Sequence, residues 1–112
     1  MRSANGISYD FLLSLFETGT NVDETAFYFT DDPTEEEHYL GYLPYGPIPE
    51  YPYWAGYCDI EDGFGCATAK ELFQAPIYHG KSLKERWKEA NIYQIGGASI
   101  EEFSQRFGGE LP

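Results

Sequence analysis

The sequence predicts a single α+β domain over residues 1–112: an N-terminal helix, a small mostly antiparallel sheet, and two or three short helices towards the C-terminus. Three observations predict it. An apolar stripe at helical spacing opens the chain, aromatic and β-branched runs broken by turn residues fill its middle, and three capping boxes in series occupy its end. The 112 residues are one domain's worth, and a content of 42% hydrophobic and 18% aromatic residues supplies a core without metal or disulfide staples.

The helix comes first. Ser8 is a good N-cap, Asp10 places an anion in the first turn, and Gly19 closes the end. Ile7 and Leu12 stand as a hydrophobic staple, and Phe11, Leu12, Leu15 and Phe16 form one apolar stripe. Thr25–Asp31 is rich in aromatic and β-branched residues and reads as a strand, broken by Asp32-Pro33-Thr34. His38–Leu43 is a second strand, in which Gly41 points to a bulge or bend. Pro44, Pro47, Pro49 and Pro52 exclude helix and central strand from Pro44–Pro52, leaving a stiff, ordered loop. Tyr53–Ile60 resumes as a third strand, and Asp62-Gly63-Phe64-Gly65 is a turn.

The remainder has a different grammar. Thr68…Glu71, Ser82…Glu85 and Ser99…Glu102 are capping boxes, each a hydroxyl followed three residues later by Glu. They predict helices over Ala69–Ala75 (stopped by Pro76), Leu83–Ala90 and Ile100–Phe107 (stopped by Gly108-Gly109). Ile77-Tyr78 and Asn91–Ile95 are extended pieces, the latter a strand. Leu72, Phe73, Leu83, Trp87, Ile100, Phe103 and Phe107 are the candidate core contacts of this part.

Charge narrows the function. The net charge is −12, and all of it belongs to residues 1–66, where thirteen acids face Arg2 alone; residues 67–112 balance six acids with six bases. From Ser3 to Ala69 there is no lysine or arginine. Long-range repulsion therefore disfavours nucleic acid and anionic membranes, and a basic protein is the natural partner. Close-set like charges each cost on the order of 1 kcal/mol at an exposed surface, so the cluster is best explained if its field is used.

Enzymatic chemistry finds little support. The only histidines, His38 and His79, lie in no nucleophile motif, and neither Gly96-Gly97 nor Gly108-Gly109 begins a phosphate loop. Glu35, Glu36, Glu37 and His38 form a dense donor run, and Asp59–Gly63 resembles the start of a calcium loop. That loop needs Gly where Phe64 stands and Glu where Lys70 stands. No catalytic residue, metal site or cofactor is predicted. No apolar run reaches the ~18 residues of a membrane span, and the short Phe11–Phe16 run lacks a cleavage site. A cytoplasmic location follows as the expectation, with Cys58 and Cys66 as free thiols or, alternatively, one bridge.

The proline-rich segment is the most distinctive stretch. Tyr39, Tyr42, Tyr45, Tyr51, Tyr53, Trp54 and Tyr57 are threaded through or beside its prolines, and such rings give large contact area at low entropic cost; of these, Tyr42, Tyr45, Tyr51 and Trp54 are the candidate binding rings. The predicted partner-binding set joins these rings to Asp31, Asp32, Glu35, Glu36, Glu37, Glu50, Asp59, Glu61 and Asp62. Carboxylates would speed encounter with a basic partner, and aromatic anchors would slow its release.

In being short, strongly acidic and tyrosine-rich, the chain resembles small bacterial immunity proteins of toxin–immunity systems, which neutralise nuclease toxins. Its character also resembles the DNA-mimic inhibitors that phages and mobile elements direct at restriction or CRISPR enzymes. The stretch Tyr53-Trp54-Ala55-Gly56-Tyr57-Cys58, through Lys70-Glu71-Leu72-Phe73, to Gly80-Lys81-Ser82-Leu83-Lys84-Glu85-Arg86-Trp87 is similar to small bacterial proteins of such neighbourhoods. The resemblance implies an immunity protein that occludes a basic, nuclease-type toxin; it matches no diagnostic motif and carries over no site residues. A DNA-mimic inhibitor is the alternative, and a non-inhibitory adaptor module is the alternative of another class.

Overall fold

The computed structural model describes all 112 residues. Helix α1 (Tyr9–Thr18) begins as predicted: the Ser8 hydroxyl accepts the Phe11 N–H, and Gly19 ends the helix in the left-handed conformation. Gly19 is required twice, since its φ is +70° and a Cβ there would collide with the Tyr42 ring.

Strands β1 (Thr25–Phe29), β2 (His38–Tyr42), β3 (Tyr53–Gly56), β4 (Phe64–Cys66), β5 (Ala90–Ile95) and β6 (Ala98–Ser99) form one antiparallel sheet in the order β4-β3-β2-β1-β5-β6. Helices α2 (Ala69–Gln74) and α3 (Ile100–Ser104) complete the α+β fold.

Four expectations are corrected. The third strand stops at Gly56 rather than Ile60, because Tyr57 turns into the left-handed region with φ of +56°. Phe64 and Gly65 are not turn residues; they pair with Ala55 and Trp54 in β4. The box Ser82…Glu85 forms in full, with Glu85 N–H donating to the Ser82 hydroxyl and Ser82 N–H to the Glu85 carboxylate. Instead of the predicted Leu83–Ala90 helix, however, it opens one turn and a 3-10 turn at Trp87–Glu89, because Ala90 is already paired with Phe29. Finally, Gly41 makes no bulge: the ladder runs evenly through Gly41 opposite Trp54, and the irregularity lies between Ala26 and Phe27, against β5.

The core fills one side of the sheet. Phe16 of α1 meets Phe73 of α2 edge-on at 5.2 Å, and Tyr9 meets Trp87 at 5.3 Å. Beneath them Phe27, Phe29, Leu40 and Ile92 are fully buried. Trp87 donates its indole N–H to the Ile7 carbonyl, so even the largest core ring is satisfied. α3 joins the same side with Phe103 buried; it gives way after Ser104 to a 3-10 turn (Gln105–Phe107), whose Phe107 is 40% exposed and packs edge-on against Phe11 of α1. No helix is long and apolar enough to cross a membrane.

Candidate functional site

The side chains that alternate away from this core are mostly aromatic or absent. Tyr28 of β1, Tyr39 of β2, Trp54 of β3 and Tyr93 of β5 are half-buried, and Tyr57 is 66% exposed. The four tyrosines form two ring pairs: Tyr39 lies 5.5 Å from Tyr57, and Tyr28 lies 6.1 Å from Tyr93. Tyr39 donates its hydroxyl to Glu37, which pushes the phenol up from its ordinary value. Burial, and then the charge of Glu37, raises Tyr93 in the same direction. Asn91 fixes Tyr28 by donating to its hydroxyl oxygen.

Trp54 reaches sideways across β2. Its indole lies over Gly41 and donates to the Asp23 carboxylate at 2.9 Å, and a Cβ at Gly41 would collide with both groups. Close approach of a ring, not a bulge, is therefore what Gly41 permits.

Strand order and register partition the predicted partner-binding residues. β1 and β3 end, and β2 and β4 begin, at one end of the sheet. The β1–β2 loop carries Asp31, Asp32, Glu35, Glu36 and Glu37; the β3–β4 loop carries Asp59, Glu61 and Asp62. Eight carboxylates from two separate sequence runs thus meet at that end. Tyr45, Glu50 and Tyr51 sit on the β2–β3 loop, which springs from the opposite end. Tyr42 belongs with neither group. It packs 4.7 Å from Tyr53 on the helix-bearing side, against Gly19.

Within the anionic end the carboxylates divide by role. Asp32 accepts from the Thr34 N–H, the Thr34 hydroxyl and the Glu36 N–H, and these bonds, the first foremost, hold it below the usual carboxylate range. Asp59 accepts from the backbone N–H groups of His79 and Gly80, with the same effect. Asp32 folds its own loop, and Asp59 ties its loop to the His79-Gly80 turn. Asp31 makes the one ion pair of the structure, 2.6 Å from Arg86, whose guanidinium also lies 3.7 Å above the Phe29 ring. Glu35, Glu36, Glu37, Glu61 and Asp62 are exposed and ion-paired with nothing.

Two recesses border this surface. A polar one of about 190 Å³ is lined by Glu36, His38, Cys58, Asp59 and His79, bringing both histidines together. His38 is buried between Phe27, Phe29 and Tyr78, and its Nδ1 faces the Tyr57 carbonyl. No three histidine, cysteine or carboxylate groups in the chain are placed to share a metal ion. The larger recess, about 460 Å³, lies between the proline loop and β3–β4, with Trp54 in its wall. Cys58 and Cys66 are both free thiols; burial pushes the Cys66 thiol up to about 11.

Tyr39 and Tyr57 stand among the rings of the aromatic–proline segment, but the sheet face was missed in the sequence because Tyr28 and Tyr93, which complete it, lie in separate segments on either side. A signal was present in the alternation Phe27-Tyr28-Phe29 and Ile92-Tyr93, which puts phenol and hydrocarbon on opposite faces of a strand. No protein-family model, curated protein or solved structure matches this chain.

Proposed function

We propose that this chain is an inhibitor of the immunity type, which binds a basic protein, a nuclease-type toxin, and covers its substrate groove. One observation carries the reading. Eight carboxylates converge on one end of the sheet, only one of them is ion-paired, and an aromatic face with no helix upon it begins beside them. A cationic groove built to hold nucleic acid is the complement of such a surface, by charge and by the affinity of arginine for aromatic rings. The carboxylates would guide encounter, while Tyr39, Tyr57 and Trp54 would hold the docked complex.

The concentration of charge in two neighbouring loops supports occlusion over phosphate mimicry. A duplex mimic needs carboxylates laid out at phosphate spacing along an elongated face, whereas this molecule measures 36 × 32 × 21 Å. The test is affinity capture from the native lysate at low and high salt, followed by assay of the captured protein's nuclease activity with and without added chain. A basic protein retained at low salt and silenced by stoichiometric chain is the expected result. Recovery of no basic protein at low salt, or of one whose activity is unaffected, overturns the reading.

A further inference from the structure

The larger recess has an unusual construction. On the uncovered face of β3 and β4, Gly56 and Gly65 present no side chains and form its floor. Its walls are Trp54 on one side and Ile48 and Tyr51 of the proline loop on the other. Ile48 and Tyr51 are 54% and 55% exposed, a large apolar area left open to water. The Trp54 indole is held in place by Asp23, so the wall is formed before anything binds. One charged group lines the recess, the carboxylate of Asp62, and no lysine or arginine does.

We infer that this groove receives an arginine side chain of the basic partner; the inference rests on the function proposed above. The walls match the parts of that side chain in turn. Its methylene stem lies against Ile48, its planar guanidinium stacks against the Trp54 and Tyr51 rings, and its charge is met by Asp62. Lysine fits less well, because a compact, strongly hydrated ammonium gains little from a flat slot. An uncharged aromatic ring would leave Asp62 unpaired beside it.

The test uses hexa-arginine and hexa-lysine at low salt, followed by backbone and indole NMR on the full chain. Both peptides are expected to shift the amides of Glu35–Glu37 and Glu61. Only hexa-arginine is expected to shift the Trp54 Nε1–H and the Gly56 and Gly65 amides; Trp87, fully buried, serves as the internal control. Gly56→Val fills the floor, and its Cβ meets only Trp54 at 3.6 Å, ordinary contact with no positive φ to strain. It should weaken hexa-arginine by about fivefold to tenfold, the scale of a partly exposed cation–π contact, and leave hexa-lysine within about twofold. Asp62→Asn should weaken hexa-arginine without touching the groove's shape, and it checks the claim should Gly56→Val disturb the strand. If both peptides bind the carboxylate end while the groove signals stay still, the groove inference falls and the proposed function stands. If neither peptide binds at low salt, both fall.

Discussion

The two faces of the sheet use different aromatic residues. On the helix-covered face stand Phe27 and Phe29, joined by Phe16, Phe73 and Trp87, all 0–1% exposed. On the other face stand Tyr28, Tyr39, Tyr57 and Tyr93 with Trp54, half-buried or exposed. A phenylalanine buried under helices contributes its whole apolar area, while a tyrosine on an open face keeps its hydroxyl in water or on a neighbour. Three tyrosines break the rule, Tyr9 and Tyr78 in the core and Tyr93 on the open face, each with a buried hydroxyl that finds no hydrogen-bond partner. The faces therefore do different work: one holds the molecule together, and the other presents rigid rings to something else.

The comparison is broken most directly by truncating one ring on each face. Phe27→Ala removes a fully buried ring that touches Phe29, His38 and Tyr78 at 5.3–5.6 Å. It should cost about 3–5 kcal/mol in denaturant unfolding. Tyr28→Ala, one residue away on the opposite face, should cost about 1 kcal/mol or less by the same measurement. Equal losses would mean that the open face is also core.

The next effect tests whether the open face is preformed. Gly41→Ala drives a methyl group into the Trp54 indole and the Asp23 carboxylate, and overpacking of this kind costs about 1–3 kcal/mol. The Trp54 indole N–H resonance should move, because its bond to Asp23 is broken. Retention of that resonance together with wild-type stability would show that the ring is not locked.

On the partner side the two regions separate in kinetics. Charge reversal at Glu35, Glu36 and Glu37 together should slow association with the captured basic protein by about tenfold or more at low salt, fading as salt rises. Trp54→Ala should leave association nearly unchanged and speed dissociation. Surface plasmon resonance at two salt concentrations separates these outcomes, and an identical profile for both variants would erase the distinction between guiding and holding residues.

How much of this was legible in the sequence depended on range. Local devices were readable: the Ser8 cap, the Gly19 stop and the hydroxyl caps of Thr68, Ser82 and Ser99 are present. Only Ser82…Glu85 closes the reciprocal box, Glu71 and Glu102 accepting from the cap hydroxyl instead. What failed was the inference from a local device to an element's length. Ser82…Glu85 caps only a turn because Phe29 claims Ala90 for the sheet, and β4 and β6, at three and two residues, are too short to carry a pattern. The carboxylates could be listed but not assembled. That Asp31–Glu37 meets Asp59–Asp62 while Tyr45 and Tyr51 spring from the far end follows from strand order, which no single stretch encodes. The glycine floor of the groove is likewise a matter of register, Gly65 facing Trp54 across β3–β4.

The smallest expected effect concerns the two carboxylates that fold the anionic end rather than serve it. Asp32 and Asp59 are held below the usual carboxylate range by backbone N–H donors. A carboxyl whose folded-state pKa is depressed stabilises the fold above its unfolded value, about 3.9, and that contribution disappears as pH falls through the folded value. The loops should therefore loosen below about pH 4, with no such loss at neutral pH. Asp59→Asn keeps one acceptor oxygen for the His79 and Gly80 N–H groups but removes the titration. Its melting temperature should start slightly below wild type at pH 7 and converge with it as pH falls towards 2. Glu61→Gln, in the same loop but with no backbone donor upon it, should show no such convergence. A parallel pair of curves for wild type and Asp59→Asn would mean that the hydrogen bonds from His79 and Gly80 contribute nothing to pinning the β3–β4 loop against the Tyr78–Lys81 turn, and that loop would then owe its shape to the strands alone.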